Sequence, residues 1–483
     1  MTTTLASIVA AHAVERPGDA AYITRSGRMT WREYHERSDA LAAALLADGL
    51  QPSERVAVVL PDGDSVHVAF LAIEKAGGVI VGIGARAGER EREHLLAKTG
   101  ARRVIDGAEL TAPRRGSPDP DRARERDDLW LLNSTSGTTG LPKVVMHDQA
   151  RWFAFHDLAV AAGALTSADV FMSALPAPFG FGIWTAHVTP TLLGAPCVVM
   201  PRFDPDACLE LVERERVSVL AAVSTQFVMM LEAHSLATRD LSSLRVLFTG
   251  GEMVPYERAA QFEDRTGCTV LQFYGSNETG ALSRTTLADD REHRLRTAGR
   301  VLREMHVRLL SDDGRDITAT GGPGIAACKG PVNCLGYLDD DEANAQLFTD
   351  DGWMLTGDYC TIDADEYLTV AGRASDFIIR GGKNVSAAQV EDEVATHPSV
   401  ALAAAVAMPD PTFGERVCVY VEQRPGTPVL TLDDLREHLG VRGVGKELWP
   451  ERIEVVDALP RSSGGKVAKG ELRADIRRRL GRA

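Results

Sequence analysis

Lysine is scarce in this chain: only eight of its 53 basic residues are Lys, and the rest are Arg. A lysine inside a glycine-bearing loop therefore stands out, because its compact mobile charge is not replaced by a planar guanidinium. Paired cysteines are missing as well. Cys197, Cys208, Cys268, Cys328, Cys334, Cys360 and Cys418 are scattered with no CxxC spacing. That excludes a disulfide framework or a Cys-rich zinc site and fits a reducing, cytoplasmic setting. Long apolar runs are absent. The longest, at 79–84 and 192–200, fall well short of the roughly 20 residues of a membrane span and suit buried parallel strands. Residues 1–14 lack a basic segment and run into Glu15 and Arg16, unlike a signal peptide. The 12 histidines show no HxxxH or HExxH grouping, so no metal site of that kind is expected. Basic charge is outweighed by 68 acidic side chains, for a net charge of -15, which argues against nucleic acid or an anionic membrane surface as partner.

What remains is material for a large core: 483 residues, 44% of them hydrophobic. At about 150 residues per domain this length suggests three domains, or one large and one small. From residue 56 to 105, and again from 206 to 273, apolar strand-like runs alternate with amphipathic helical stretches. This is the pattern of βαβ units with helices on both sheet faces. From about Gly299 the texture changes to short β-like runs separated by turns. Residues 374–382 read as a turn or hinge, and the final stretch carries helices near 387–396, 431–439 and 469–480 with strands at 400–407 and 417–422. The expected division is a large part at 1–373 and a small α+β domain at 374–483. Residues 111–127, rich in Pro, Arg and Asp, read as a solvated loop.

The densest chemistry lies in Ser134-Thr135-Ser136-Gly137-Thr138-Thr139-Gly140-Leu141-Pro142-Lys143, just after an apolar strand-like run. Glycines let backbone N–H groups close around an anion, hydroxyls add donors, and Lys143 adds charge. The string departs from the Walker form, since Leu-Pro separates Gly140 from Lys143 and Val144 follows. Further along stand Thr249-Gly250-Gly251-Glu252, Phe273-Tyr274-Gly275-Ser276-Asn277-Glu278-Thr279-Gly280, Thr356-Gly357-Asp358, Gly372-Arg373-Ala374-Ser375-Asp376, and Leu459-Pro460-Arg461-Ser462-Ser463-Gly464-Gly465-Lys466.

These strings, in this order and covering most of the chain, resemble the signature motifs of the adenylate-forming superfamily, which includes acyl- and aryl-CoA synthetases. The resemblance implies an α/β fold: a large N-terminal domain of parallel and mixed sheets with flanking helices and a barrel-like subdomain, and a small mobile C-terminal domain. It implies a ligase that joins a carboxylic acid to ATP, giving acyl-AMP and pyrophosphate, and then forms a thioester with CoA. In that reading Thr135, Ser136, Gly137, Thr138, Thr139, Gly140 and Lys143 cradle the β- and γ-phosphates. Glu278 is the Mg²⁺ ligand, and Asn277, beside it, donates to the α-phosphate. Tyr274 stacks on adenine, Gly250, Gly251, Glu252 and Gly275 line it, and Asp358 with Arg373 takes the ribose. Lys466 is the adenylation lysine. Ser375 is the hinge, and Arg380, Gly381, Gly382 and Lys383 line the thiol tunnel.

By the same resemblance the segment Leu175-Pro176-Ala177-Pro178-Phe179-Gly180-Phe181-Gly182-Ile183-Trp184 lines the acyl pocket, with Ser224, Gln226, Phe227, Thr249 and Gly275 as further wall residues. Amino-acid-activating relatives usually carry Asp after the aromatic residue, where this chain has Gly180. An unpaired ammonium in such surroundings is costly, so the expected acid has no α-amine. Three departures bear on the ATP step: Asn277 replaces a hydroxyl residue, Val144 a glycine, and the strip 82–85 lacks a proline. They leave two alternatives open: an enzyme that only thioesterifies a ready-made adenylate, and a stand-alone adenylation enzyme that loads a carrier protein. A degenerate binding protein is disfavoured because Lys466, Asp358 and Glu278 are all present. The weak run Gly82-x-Gly84-x-x-x-Gly88 lacks dinucleotide spacing.

Overall fold

Buried β-branched runs set the centre of the molecule. The structure, a computed structural model, describes residues 3–107, 122, 124–135, 141–252, 254–373, 376–380, 383–461 and 467–481, with the backbone alone for 383 and 384. Strands such as Val219–Ala221 and Val246–Gly250 are buried at every position, as expected where helices cover both faces. They belong to a nine-stranded sheet whose spatial order is Arg300–Val301, Gly280–Arg284, Thr269–Ser276, Val246–Gly250, Val219–Ala221, Phe171–Ser173, Cys197–Val199, Ala20–Ile23 and Arg28–Thr30. The six inner strands from Thr269–Ser276 to Ala20–Ile23 run parallel. The edges are antiparallel. A second sheet orders Arg103–Ile105, Arg55–Val58, Val79–Gly82, Leu131–Ser134 and Val144–His147, parallel except for the last pair.

Side-chain caps start the covering helices where the sequence supplies them. Thr30 and Glu33 form a reciprocal capping box on Trp31–Ala47, and Asp204 caps Pro205–Arg214. The change of texture after Gly299 is real. His306–Leu310, Gly324–Lys329, Met354–Ile362 and Leu368–Arg373 form a four-stranded antiparallel sheet. The last sheet joins Lys383–Ser386, Phe377–Arg380, Gly414–Gln423 and Val400–Asp410, with Arg452–Val456 parallel to Gly414–Gln423. Val390, Val394, Leu435 and Leu439 from two helices pack into its core. Leu472 and Ile476 of the basic helix Lys469–Arg479 pack with Tyr420 and Leu459 in a separate cluster. That helix is therefore docked rather than merely solvated.

Two sequence expectations change. The run at 192–200 is not one strand: helix Thr189–Leu193 ends at Gly194, whose φ of +68° closes it, and the strand is only Cys197–Val199. Residues 374–382 are not all turn, because Phe377–Arg380 is a strand paired with Lys383–Ser386. Among the described residues no helix is long and apolar enough to cross a membrane. All seven cysteines are buried and unpaired.

Candidate active site

The conspicuous strings between Ser134 and Arg373 meet near the C-terminal ends of parallel strands, the crevice where open α/β sheets bind ligands. Leu131–Ser134 delivers Thr135, Val246–Gly250 ends on the Gly-Gly turn, and Thr269–Ser276 brings Tyr274. Thr135 N–H donates to the Lys143 carbonyl (3.0 Å) and Lys143 N–H donates to Thr135 Oγ1 (3.3 Å), which joins the two ends of the segment expected to cradle phosphates. Ser136, Gly137, Thr138, Thr139 and Gly140 lie outside the described residues.

The Lys143 ammonium sits 4.9 Å from the centre of the Tyr337 ring. The Tyr337 hydroxyl donates to Glu278 Oε1 (2.8 Å). Burial and the neighbouring Glu278 carboxylate push this phenol well above its ordinary pKa, so it stays a donor. Tyr337 thus joins Lys143 to the acidic residue expected to hold Mg²⁺. Glu278 Oε1 is occupied by that bond; a carboxylate has a second oxygen, and hard oxygen donors suit the ion.

The residues expected at the ribose lie together. Tyr274 hydroxyl donates to Asp358 Oδ2 (2.9 Å), and Arg373 Nε lies 3.3 Å from Asp358 Oδ1. Asp358 and Arg373 face each other across the register of Met354–Ile362 and Leu368–Arg373. Thr356 Oγ1 accepts the Asp358 N–H (3.0 Å) and donates to the Ala326 carbonyl (2.8 Å), which pins the turn. At Gly275 a Cβ would lie 1.6 Å from the Gly280 carbonyl oxygen; only glycine fits there. Glu252 accepts the Thr225 N–H (2.8 Å) and so caps the helix Ser224–Leu231 that begins at Ser224.

The acyl segment forms a short helical turn, Gly180–Gly182, that runs into a π-helical stretch, Ile183–Val188, a form common at functional sites. Trp184 stacks on Phe181 (5.5 Å between centroids) and meets Phe248 and Phe273 edge-on. Phe179 reaches across to the second sheet, where a Cβ at Gly84 would touch its ring at 3.4 Å, and a Cβ at Gly82 would lie 2.9 Å from Pro178. Gly82 and Gly84, two of the glycines in the run without dinucleotide spacing, make room for this wall. Thr249 is fully buried and its Oγ1 has no hydrogen-bond partner. Phe227 is not brought to the others: it is fully buried against Phe262 (5.6 Å) in a different cluster from Trp184 and Phe248.

The AMP-binding enzyme family model matches residues 9–338, and the AMP-binding enzyme C-terminal domain model matches residues 389–466. This chain belongs to the AMP-binding enzymes, the adenylate-forming superfamily. Feruloyl-CoA synthase of an Amycolatopsis species is 34% identical, over 94% of this chain and 94% of that protein. Medium-chain fatty-acid–CoA ligase of Escherichia coli (strain K12) is 31% identical, over 93% of this chain and 86% of that protein. The crystal structure of an anthranilate CoA ligase in complex with anthranoyl-AMP shares the fold, with a TM-score of 0.91 at 23% identity over 99% of this chain and 98% of that one. This AMP-binding enzyme is a ligase that activates a carboxylic acid as its adenylate in an ATP-dependent reaction.

The C-terminal part of the AMP-binding enzyme carries the remaining candidates. Arg380 Nε pairs with Glu451 (2.9 Å) and its Nη1 donates to the Glu447 carbonyl (3.1 Å). Gly381 and Gly382 lie outside the described residues, as does the Lys383 side chain. Ser375 is also outside them; next to it, Asp376 pairs with Arg473 of the C-terminal helix. The loop bearing Lys466 is closed at its base by an Arg461–Val467 bridge and by Ala468 N–H donating to the Pro460 carbonyl (2.8 Å). Residues 462–466 are outside the described set.

Sequence reasoning missed Tyr337, Asn133 and Arg151, which contact the predicted residues directly, and His147, which joins Asn133 to Arg151. Asn133 and His147 flank the phosphate string in sequence, but Tyr337 lies 59 residues from its Glu278 partner, and no local pattern marks it.

Proposed function

We propose that this enzyme is an acyl-CoA ligase for a carboxylic acid without an α-amine, working through acyl-AMP and then a thioester with CoA. The observation that carries this reading is Gly180. It leaves no carboxylate to balance an ammonium, and its surroundings are Asn277, Trp152 and the Phe181–Trp184 stack. The fatty acid and ferulate in the names of its relatives also lack an α-amine.

In the first step a carboxylate oxygen attacks the α-phosphorus and pyrophosphate leaves. Two anions meet, so the site has to supply positive charge. Thr135–Lys143 holds the outer phosphates, Asp358 with Arg373 takes the ribose hydroxyls, and the Tyr274 ring lies against adenine. Lys466 stabilises the charge shared by carboxylate and α-phosphate. Glu278 would hold Mg²⁺, which would supply positive charge to the phosphates. In the second step the thiol attacks the acyl carbon and AMP leaves. The part at 374–483 turns about Ser375 between steps, withdrawing Lys466 and presenting residues 380–383 to the pantetheine arm.

One observation favours a thioesterification-only enzyme: Asn277 already donates its amide N–H to Asn133 (2.8 Å). The deciding experiment is a panel of carboxylic acids with ATP and either CoA or a phosphopantetheinyl carrier, with AMP and thioester read separately. ATP–pyrophosphate exchange with at least one acid supports the full ligase. Thioester formation only from supplied acyl-AMP rejects it, and thioester on the carrier alone reassigns the acceptor.

A further inference from the structure

A chain of buried polar groups runs from Arg151 to the acyl segment. Arg151 Nη1 donates to His147 Nδ1 and also to the backbone carbonyl of Asn277 (3.0 Å). His147 Nε2 lies 2.8 Å from Asn133 Oδ1. Asn277 Nδ2 donates to the same oxygen (2.8 Å). Asn133 Nδ2 donates to the Pro178 carbonyl (3.0 Å) and, through a longer bond, to Asn277 Oδ1 (3.4 Å). Arg151 and Asn133 are 2% exposed and His147 is wholly buried.

The polarity of this chain follows from its inner end. A guanidinium only donates, so His147 Nδ1 accepts and the ring proton sits on Nε2. Burial, reinforced by the Arg151 charge, holds His147 well below its ordinary pKa, which keeps the ring neutral. Nε2–H then donates to Asn133, whose carbonyl faces His147 and Asn277 and whose amino group faces Pro178. Asn277 gives its N–H to Asn133. Its Oδ1 is left over Gly180, where a Cβ would lie only 2.7 Å away. Amide orientations are ordinarily ambiguous; here the one partner that cannot accept settles them.

We propose that Asn277 Oδ1 is a specificity-determining acceptor beside the reacting carboxylate, and that it selects acids carrying a hydroxyl next to the carboxyl group. This rests on the adenylating function proposed above. Asn277 reaches into the space that a side chain at 180 would occupy and offers a neutral oxygen there. A neutral acceptor pairs with an O–H but does not balance an ammonium. An acid with only C–H at that place leaves Oδ1 dehydrated, with the long bond from Asn133 (3.4 Å) as its partner and its second lone pair facing the space beside Trp152. Arg151, His147 and Asn133 are positioning residues that hold the acceptor outward.

The test is ATP–pyrophosphate exchange by the full chain, which reads adenylation without any thiol. The probes are 2-hydroxybenzoate against benzoate and 2-hydroxyhexanoate against hexanoate, so that the two pairs distinguish an aromatic from an aliphatic frame. The hydroxylated acid is expected to win by about tenfold in kcat/KM in one pair. Asn277→Thr brings that ratio close to one, whatever its effect on absolute rate. Gly180→Ala displaces the amide and lowers the same ratio. Adding N277T to G180A makes room for the new methyl and raises exchange with the unsubstituted acid above that of G180A alone. Equal use of hydroxylated and plain acids, a ratio that survives Asn277→Thr, or no rescue in the double variant overturns the proposal. Loss of exchange with every acid in a broad panel instead removes the adenylating function, and this inference with it.

Discussion

Tyr337 shows how much one side chain outside every motif can matter. Its ring carries the Lys143 ammonium at 4.9 Å and its hydroxyl donates to Glu278 at 2.8 Å. Tyr337→Phe keeps the ring and deletes only the donor, so Glu278 loses its orienting partner. Removing such a supporting bond typically costs about 10–100-fold in metal affinity or activity. The expected outcome is a reduced rate of pyrophosphate exchange that higher Mg²⁺ partly restores; an unchanged Mg²⁺ dependence would reject this role. Lys466→Ala should separate the half-reactions: exchange falls by roughly 10²–10³, while thioester formation from supplied acyl-AMP is largely kept. Equal loss in both rejects that division. The candidates inside strings were legible in the sequence, because Gly, Ser, Thr and Lys at close spacing carry their chemistry locally. Asn133 and Tyr337 were not, since their partners are 144 and 59 residues away and only the fold brings them together.

Among elements, the helix Asp64–Lys75 was legible from its apolar periodicity, whereas the π-helical stretch Ile183–Val188 was not, because no local residue pattern separates it from an ordinary helix. The two meet at a pair of buried imidazoles. His67 Nδ1 lies 3.2 Å from His187 Nδ1, and their rings stack between Tyr22 (4.3 Å from His67) and Trp130 (6.0 Å from His187). Burial pushes both pKa values down, that of His187 to about 3. Below about pH 6.5 the unfolded chain binds protons that the folded pair refuses. Stability from this pair is therefore complete above that pH and declines as pH falls toward 3, by at most about 1.4 kcal/mol per pH unit for each histidine. Denaturation midpoints from tryptophan fluorescence should drop over this window. His187→Phe keeps an aromatic ring and should make the decline shallower; an unaltered slope would show that the acid sensitivity arises elsewhere.

At the scale of the whole molecule, the excess of acidic residues contrasts with the anionic substrates proposed here. In the sequence, Lys143, Lys383 and Lys466, three of eight lysines, stand in glycine-bearing segments. Two of those segments belong to the C-terminal part, so in the function proposed above its placement decides which lysine reaches the site. A contact far from them bears on that placement. Glu232, at the end of the helix Ser224–Leu231, pairs with Arg258 (3.2 Å) and with Arg424 of the C-terminal sheet region (3.5 Å). Arg258, nearly buried, also donates to the Val400 carbonyl across the same boundary (3.2 Å). A contact made in one arrangement favours that arrangement at the expense of the other. Arg424→Ala removes the outer partner and leaves Glu232 with Arg258, so no buried charge is stranded. Because Arg424 is partly exposed, the expected effect is small, about two- to fivefold. The two half-reactions should move in opposite directions, one faster and one slower, when pyrophosphate exchange and single-turnover thioester formation are measured side by side. Equal changes in both would mean that this clamp supports the fold without biasing the arrangement.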